Sequence, residues 1–145
     1  RPQLPQGTPR GGLARVIVLD ASVLIGHFEP ADIHHDAATA VLLGNARESF
    51  AANVVTLAEV YVGAARAGRV DQLRALIARL DVAELDLPGS AAVRLAQLRA
   101  TTGLKMPDCC VLYSAEVHQA AIATFDERLT ARACELGLAV RRASL

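Results

Sequence analysis

Four acidic residues stand where chemistry could use them. Asp20 closes the apolar run "VIVLD", Glu59 lies in "TLAEVYVG", Asp108 in "KMPDCC", and Asp126 closes "AIATFD". Asp20 is the sharpest case, because the residues before it and the "ASVLIG" after it both read as core. A carboxylate stays inside a protein only when it is paired or holds a cation. If the two apolar runs are parallel strands, they deliver Asp20 and Asp126 to one sheet edge, and Asp108 and Glu59 fall in the first turns of helices that begin there. Several carboxylates at one crevice raise one another's pKa and destabilise the fold unless a cation joins them. Magnesium or manganese resolves that conflict: both prefer hard oxygen ligands, and Mg²⁺ binds through few carboxylates, several waters and a substrate phosphate.

Each acid also has a structural explanation. Asp20 and Asp126 fit helix N-caps, Asp108 complements a helix dipole, and Thr56 with Glu59 three residues later has the spacing of a capping box. On that account Glu59 needs no function at all. Other reactive residue types offer less. Ser22 has no histidine in a recognisable triad motif and fits a hydrogen bond to a metal site better than a nucleophile. His34 and His35 are neighbours in "DIHHDAA", do not face one another on a helix, have no acidic motif nearby, and read as structural or exposed. His27 and His118 are isolated. Cys109, Cys110 and Cys134 are odd in number, and two are adjacent, which suits neither a disulfide framework nor a CxxC site. They read as small buried hydrophobes in a reducing compartment.

The elements that must position these acids follow from the apolar pattern. "RVIVLD", "SFAAN", "VAELDL", "AAIATFD" and "LAV" read as strands. Between them lie helical segments: "ASVLIGHF", then "PADIHHDAATAVLLGNA" opened by Pro30, and "TLAEVYVGAARAG" stopped by Gly68. "VDQLRALIARL", "SAAVRLAQLRATTG" with Ser90 as N-cap, "MPDCCVLYSAEVHQ" opened by Pro107, and "DERLTARACELG" follow. Strands alternating with helices, the strands continuously apolar, predict an α/β sandwich with a central parallel sheet covered on both faces. In such sheets the ligand crevice lies beyond the carboxyl ends of the strands, where the acids are expected.

Length and composition agree. The chain of 145 residues suits one domain, and 52% hydrophobic with 21% charged residues is globular rather than disordered. Residues 1–14, "RPQLPQGTPRGGLA", lack periodicity and read as a flexible tail, linker or cloning remnant. No apolar run is long enough to cross a bilayer, and no signal peptide is visible, so a cytoplasmic protein is expected. Net charge is zero, and bulk electrostatics announce no nucleic-acid partner, although Lys105 is the single lysine among 15 basic residues.

Taken together, "VLDASVLIG", "TLAEVYVG", "KMPDCCVLYSAE" and "ATFDERL" resemble the four acidic motifs of PIN-domain ribonucleases, in the order and spacing of the VapC-type toxins of VapBC toxin–antitoxin pairs. The resemblance spans residues 15–142 and implies a PIN-like three-layer sandwich over 15–145. It implies metal-dependent endoribonuclease activity, with Asp20, Glu59, Asp108 and Asp126 as the acidic quartet. Asp20, Asp108 and Asp126 become ligands of Mg²⁺ or Mn²⁺, Glu59 a ligand or water-orienting base, and Ser22 and Thr124 the hydroxyls that support them. It further implies a VapB-type antitoxin partner and a homodimer, with a structured RNA bearing an exposed loop, such as tRNA or rRNA, as substrate. Aromatics at 3% are too few for a broad base-stacking platform. Two alternatives remain. A phosphoryl-transfer or phosphatase-like α/β domain would want a second acid beside Asp20 and a lysine after a late strand, and "LDASV" and Lys105 supply neither. A non-catalytic protein-interaction module would use the acids only as caps.

Overall fold

The run Val16–Leu19 is apolar at every position because both of its faces are covered. Ile17 and Leu19 point into one core cluster and Val18 into another, as the two-residue period of a strand requires. This strand, β1, is the centre of a sheet in the computed structural model, which describes residues 15–44 and 47–142. The expected tail at 1–14 lies outside the described residues.

The chain continues through α1 (Ala21–Phe28), α2 (His35–Leu43), β2 (Ser49–Asn53), α3 (Val54–Arg66) and α4 (Val70–Arg79). There follow β3 (Ala83–Leu85), α5 (Ala91–Thr102), α6 (Met106–His118), β4 (Ala121–Ala123), α7 (Glu127–Glu135) and β5 (Val140–Arg141). Among the described residues the five strands form one sheet in the order β3-β2-β1-β4-β5, and every pairing is parallel. This is the expected PIN-like α/β sandwich. One face buries Ile17, Leu19, Phe50 and Ala123 against the first four helices. The other buries Val18, Ala51 and Ile122 against residues of α5, α6 and α7, including Leu98, Leu112 and Leu129. The helix α6 is buried around much of its girth, at Cys109, Cys110, Val111, Leu112, Ser114 and Ala115, which explains why its sequence lacks a clean polar stripe.

Three local expectations need correction. Pro30 does not open a helix: residues 29–34 turn, with the Asp32 carboxylate accepting the His34 N–H at 2.8 Å, and α2 starts at His35. Ser90 occupies the N-cap position of α5, but its side chain makes no capping bond. Cys109 and Cys110 are buried as expected, whereas Cys134 is exposed. Gly68 does stop α3, adopting φ +70° just past the helix end, where a side chain would strain the backbone. No helix among the described residues is long and apolar enough to cross a membrane.

Candidate active site

The strand order places β2 and β4 on either side of β1, so the direction of chain progression reverses at the sheet centre. In sheets of this kind the ligand crevice lies at that point, outside the carboxyl ends of the strands. Asp20 follows the last residue of β1, and its backbone N–H donates to the Ala123 carbonyl of β4 at 2.9 Å, which locks the two strand ends together. Asp20 is only 8% exposed and sits at the N-cap position of α1 without making a capping bond. Its Oδ2 instead accepts from Ser22 Oγ at 2.8 Å and Thr124 Oγ1 at 2.7 Å. Among the described residues no donor is set on Oδ1, so one carboxylate oxygen is fixed and the other is left for a ligand.

The same two hydroxyls hold the loop after β4. Ser22 Oγ accepts the Phe125 N–H at 3.1 Å, and Thr124 Oγ1 accepts the Asp126 N–H at 3.0 Å. Asp126 is also the N-cap of α7, its Oδ1 accepting from the N–H groups of Arg128 and Leu129 at 2.9 and 3.1 Å. The capping reading of Asp126 is correct, and it occupies only one of the two oxygens.

Asp108 enters from the first turn of α6, beside Pro107. Its carboxyl is pushed up to about 6, first by burial and then by the negative charges of Asp20, Asp126 and Glu59, with Lys105 opposing. Glu59 is likewise raised by burial and by Asp20, and lowered by Lys105. The fold therefore brings the four acids into one electrostatic cluster, with the only lysine of the chain at its border.

Glu59 does not belong to a capping box. The N-cap of α3 is Asn53, the last residue of β2, whose Oδ1 accepts the Thr56 N–H at 2.9 Å. Thr56 is thus inside the helix and Glu59 lies in its second turn, not its first, so the structural explanation for that acid disappears. Among the described residues, Asn53 Nδ2 and Thr56 Oγ1 are buried and have no hydrogen-bond partner. Sequence reasoning did not single out Asn53, because "SFAAN" read wholly as strand. The signal available was Asn three residues before Thr56, a standard N-cap to N3 spacing.

His35 has the structural role expected of it, whereas His27 is not isolated. His35 Nδ1 donates to the Gly26 carbonyl at 2.9 Å, and His27 Nδ1 pairs with Thr39 Oγ1 at 2.8 Å. Both fasten α2 to α1, at a crossing so close that a Cβ on Gly26 would come within 3.3 Å of Ala38 Cβ. Burial and the neighbouring His35 lower the pKa of His27, and burial lowers that of His118. His34 does lie near an acidic motif, for its ring stacks on Phe125, the residue before Asp126.

Among the described residues no three His, Cys, Asp or Glu side chains form a ready-made metal cage. The donor set nevertheless fits a hard divalent cation. It is all carboxylate, burial and mutual repulsion together raise Asp108, and the hydroxyl bonds to Asp20 fall on Oδ2. Such a site suits an ion that keeps waters and takes a substrate phosphate, as Mg²⁺ does, rather than an enclosed Ca²⁺ or Zn²⁺.

Comparison with known proteins follows the same lines. The family model described as "PIN domain" matches residues 17–135. No curated sequence matches. Among solved structures, a toxin–antitoxin complex from Klebsiella pneumoniae is similar at 24% identity and a TM-score of 0.64, over 76% of this chain and 86% of that one. Mycobacterium tuberculosis VapC20, described as a Sarcin-Ricin loop cleaving toxin, is similar at 14% identity and a TM-score of 0.71, over 87% and 98%. VapBC2 from Rickettsia felis, bound to a DNA fragment from its promoter, is similar at 13% identity and a TM-score of 0.64, over 87% and 97%. The family match covers both strands that carry aspartates to the crevice and both helices that carry the other two acids, and the chain belongs to the PIN domain family.

Proposed function

We propose that this chain is a metal-dependent endoribonuclease and the toxin of a type II toxin–antitoxin pair. The observation that carries the reading is the convergence of four carboxylates at the carboxyl ends of β1 and β4, one of them raised to about 6 by burial and then by the other three. A cluster of that kind costs stability unless its charge is used, and strained acids at a crevice are a mark of functional sites.

Asp20, Asp108 and Asp126 would hold Mg²⁺ or Mn²⁺. When bound, the cation acidifies an attacking water and neutralises charge developing on a scissile phosphate. Ser22 and Thr124 fix the rotamer of Asp20, so that its free oxygen presents at one place. Glu59, whose pKa burial and Asp20 raise, holds a proton more readily than an ordinary carboxylate and would orient the water or accept its proton. Lys105 partly offsets the cluster's charge and gives a mobile cation for a phosphate oxygen.

The substrate in this reading is a structured RNA with an exposed loop, a tRNA or rRNA, in line with the loop-cleaving description of the Mycobacterium tuberculosis neighbour. The partner is a VapB-type antitoxin, supported by the toxin–antitoxin complexes among the similar structures, and a toxin homodimer in the cytoplasm completes the proposal. The test is incubation of the purified chain with labelled RNA in Mg²⁺ or Mn²⁺ against EDTA, with Asp20→Asn as control. Cleavage that needs metal and Asp20 supports it. Cleavage equal in EDTA or in the Asn variant removes the assignment. Growth on expression with and without the neighbouring gene tests the toxin role separately.

A further inference from the structure

The ring contacts among the described residues fall in one corner of the molecule. His27 stands edge-on to Phe28 with centroids 4.8 Å apart and lies parallel to His35 at 6.4 Å. His34 stacks on Phe125 at 4.5 Å with 8° between the ring planes. The chain has three Phe, two Tyr, four His and no Trp, so this corner concentrates its scarce flat side chains.

His27 and His35 have a structural duty there, since each bonds across the α1–α2 contact. His34 does not. Its ring nitrogens have no hydrogen-bond partner among the described residues, it is partly exposed, and its one ring neighbour there is Phe125. Phe125 is in turn fixed by its N–H to Ser22 Oγ, the hydroxyl that donates to Asp20, and is followed by Asp126. Asx bonding through Asp32 sets the His34 backbone, so both rings of the stack are held from behind. The stack is therefore an anchored, partly exposed pair of rings adjoining two of the four acids.

We propose that His34 and Phe125 form a stacking ledge for one unpaired RNA base beside the cut phosphate. The inference rests on the ribonuclease reading above and adds a contact that selects the substrate. A strand whose phosphate lies at the acids carries its nearest bases within a few ångströms of them, and flat rings are the side chains on which bases stack. Because every base has a π-face, the ledge discriminates unpaired from paired bases rather than one base from another. The low aromatic content argues against a broad platform, but a ledge for a single base needs only this pair.

The test uses the full chain carrying Asp20→Asn, so that bound RNA stays intact. The probe is a ribose-phosphate strand, abasic except for a single 2-aminopurine, compared with the fully abasic strand and with a separate, fully base-paired RNA duplex in which 2-aminopurine faces uracil. The base is expected to tighten binding about tenfold and to lose fluorescence as it stacks. His34→Ala should abolish both the gain and the quenching, His34→Phe should keep both, and the paired base should gain nothing. Melting of each variant reports whether it is folded, and His34→Gln serves as a second non-stacking variant. Equal affinity for base-bearing and abasic strands, no RNA binding at all, or a His34→Phe protein as impaired as His34→Ala would each overturn the ledge. Metal-dependent cleavage by the wild-type chain is read separately. Cleavage without any base preference removes the ledge and keeps the nuclease; base stacking in a chain that cleaves nothing keeps the ledge's chemistry and removes the nuclease.

Discussion

Thr124 donates to Oδ2 of Asp20 at 2.7 Å, across 104 residues of sequence, and the same hydroxyl accepts the Asp126 N–H at 3.0 Å. One buried oxygen thus couples the ends of two strands and two of the four acids.

Replacing Thr124 by Val keeps the shape and removes both bonds, leaving a backbone N–H without its partner. A loss of about 1–2 kcal/mol is expected in denaturant unfolding. Cleavage should fall about tenfold or more as Asp20 loses one of its two orienting hydroxyls. Thr124→Ser should recover most of both. A Val variant with wild-type rate would show that this bond does not orient Asp20.

Asp20→Asn retains an oxygen that can accept from Ser22 and Thr124 while removing one charge from the cluster. The metal-free fold is expected to be unchanged or about 1 kcal/mol more stable, because repulsion with Asp108 and Glu59 is relieved. Mn²⁺ binding by calorimetry and metal-dependent cleavage should both be lost. A variant that unfolds would mean that the carboxylate's main role is structural.

Glu59→Gln separates charge from capping, because Asn53 and not Thr56 caps α3. With no capping bond at stake, thermal stability should stay within about 0.5 kcal/mol of wild type, while metal affinity or cleavage drops. Equal activity in the two proteins would leave Glu59 without a catalytic part.

Asp108 sets a pH dependence whose sign can be worked out. Its carboxyl is raised from 3.8 to about 6 in the folded chain, so the folded state holds that proton more tightly than the unfolded one. The associated stability is fully present below pH 3.8 and is lost as pH rises through about 6. Asp108→Asn should flatten that segment of a stability-against-pH curve, stabilising the metal-free protein at neutral pH by about 1–2 kcal/mol after allowance for solvent screening. Metal binding favours the ionised form, so cleavage in Mg²⁺ should rise through the same window. Added Mg²⁺ should diminish the loss of stability. A curve for wild type that matches Asp108→Asn would remove the coupling.

The sequence by itself determined which segments are strands and helices, since "VIVL", "SFAAN" and "AIA" can bury two faces only inside a covered parallel sheet. It also determined the address of Asp20, because an aspartate placed directly after a buried strand must emerge at the carboxyl edge. Pro107 and Gly68 marked helix ends correctly because their backbone constraints are local. What only the tertiary structure decided were relations between residues far apart or at a junction with two local solutions. The sequence pointed to Thr56 as the cap of this helix, and the structure gives that place to Asn53 because pairing of β2 with β1 and β3 carries the strand up to that residue. Pro30 could have opened a helix, but the turn through Asp32 delays α2 and swings the His34 ring onto Phe125, a contact between positions too distant for any periodicity to connect. The raised carboxyl of Asp108 belongs to the same class: its charge neighbours come from β1, α3 and the β4–α7 junction, and Coulomb repulsion depends on their separation in space, which the chain order does not contain.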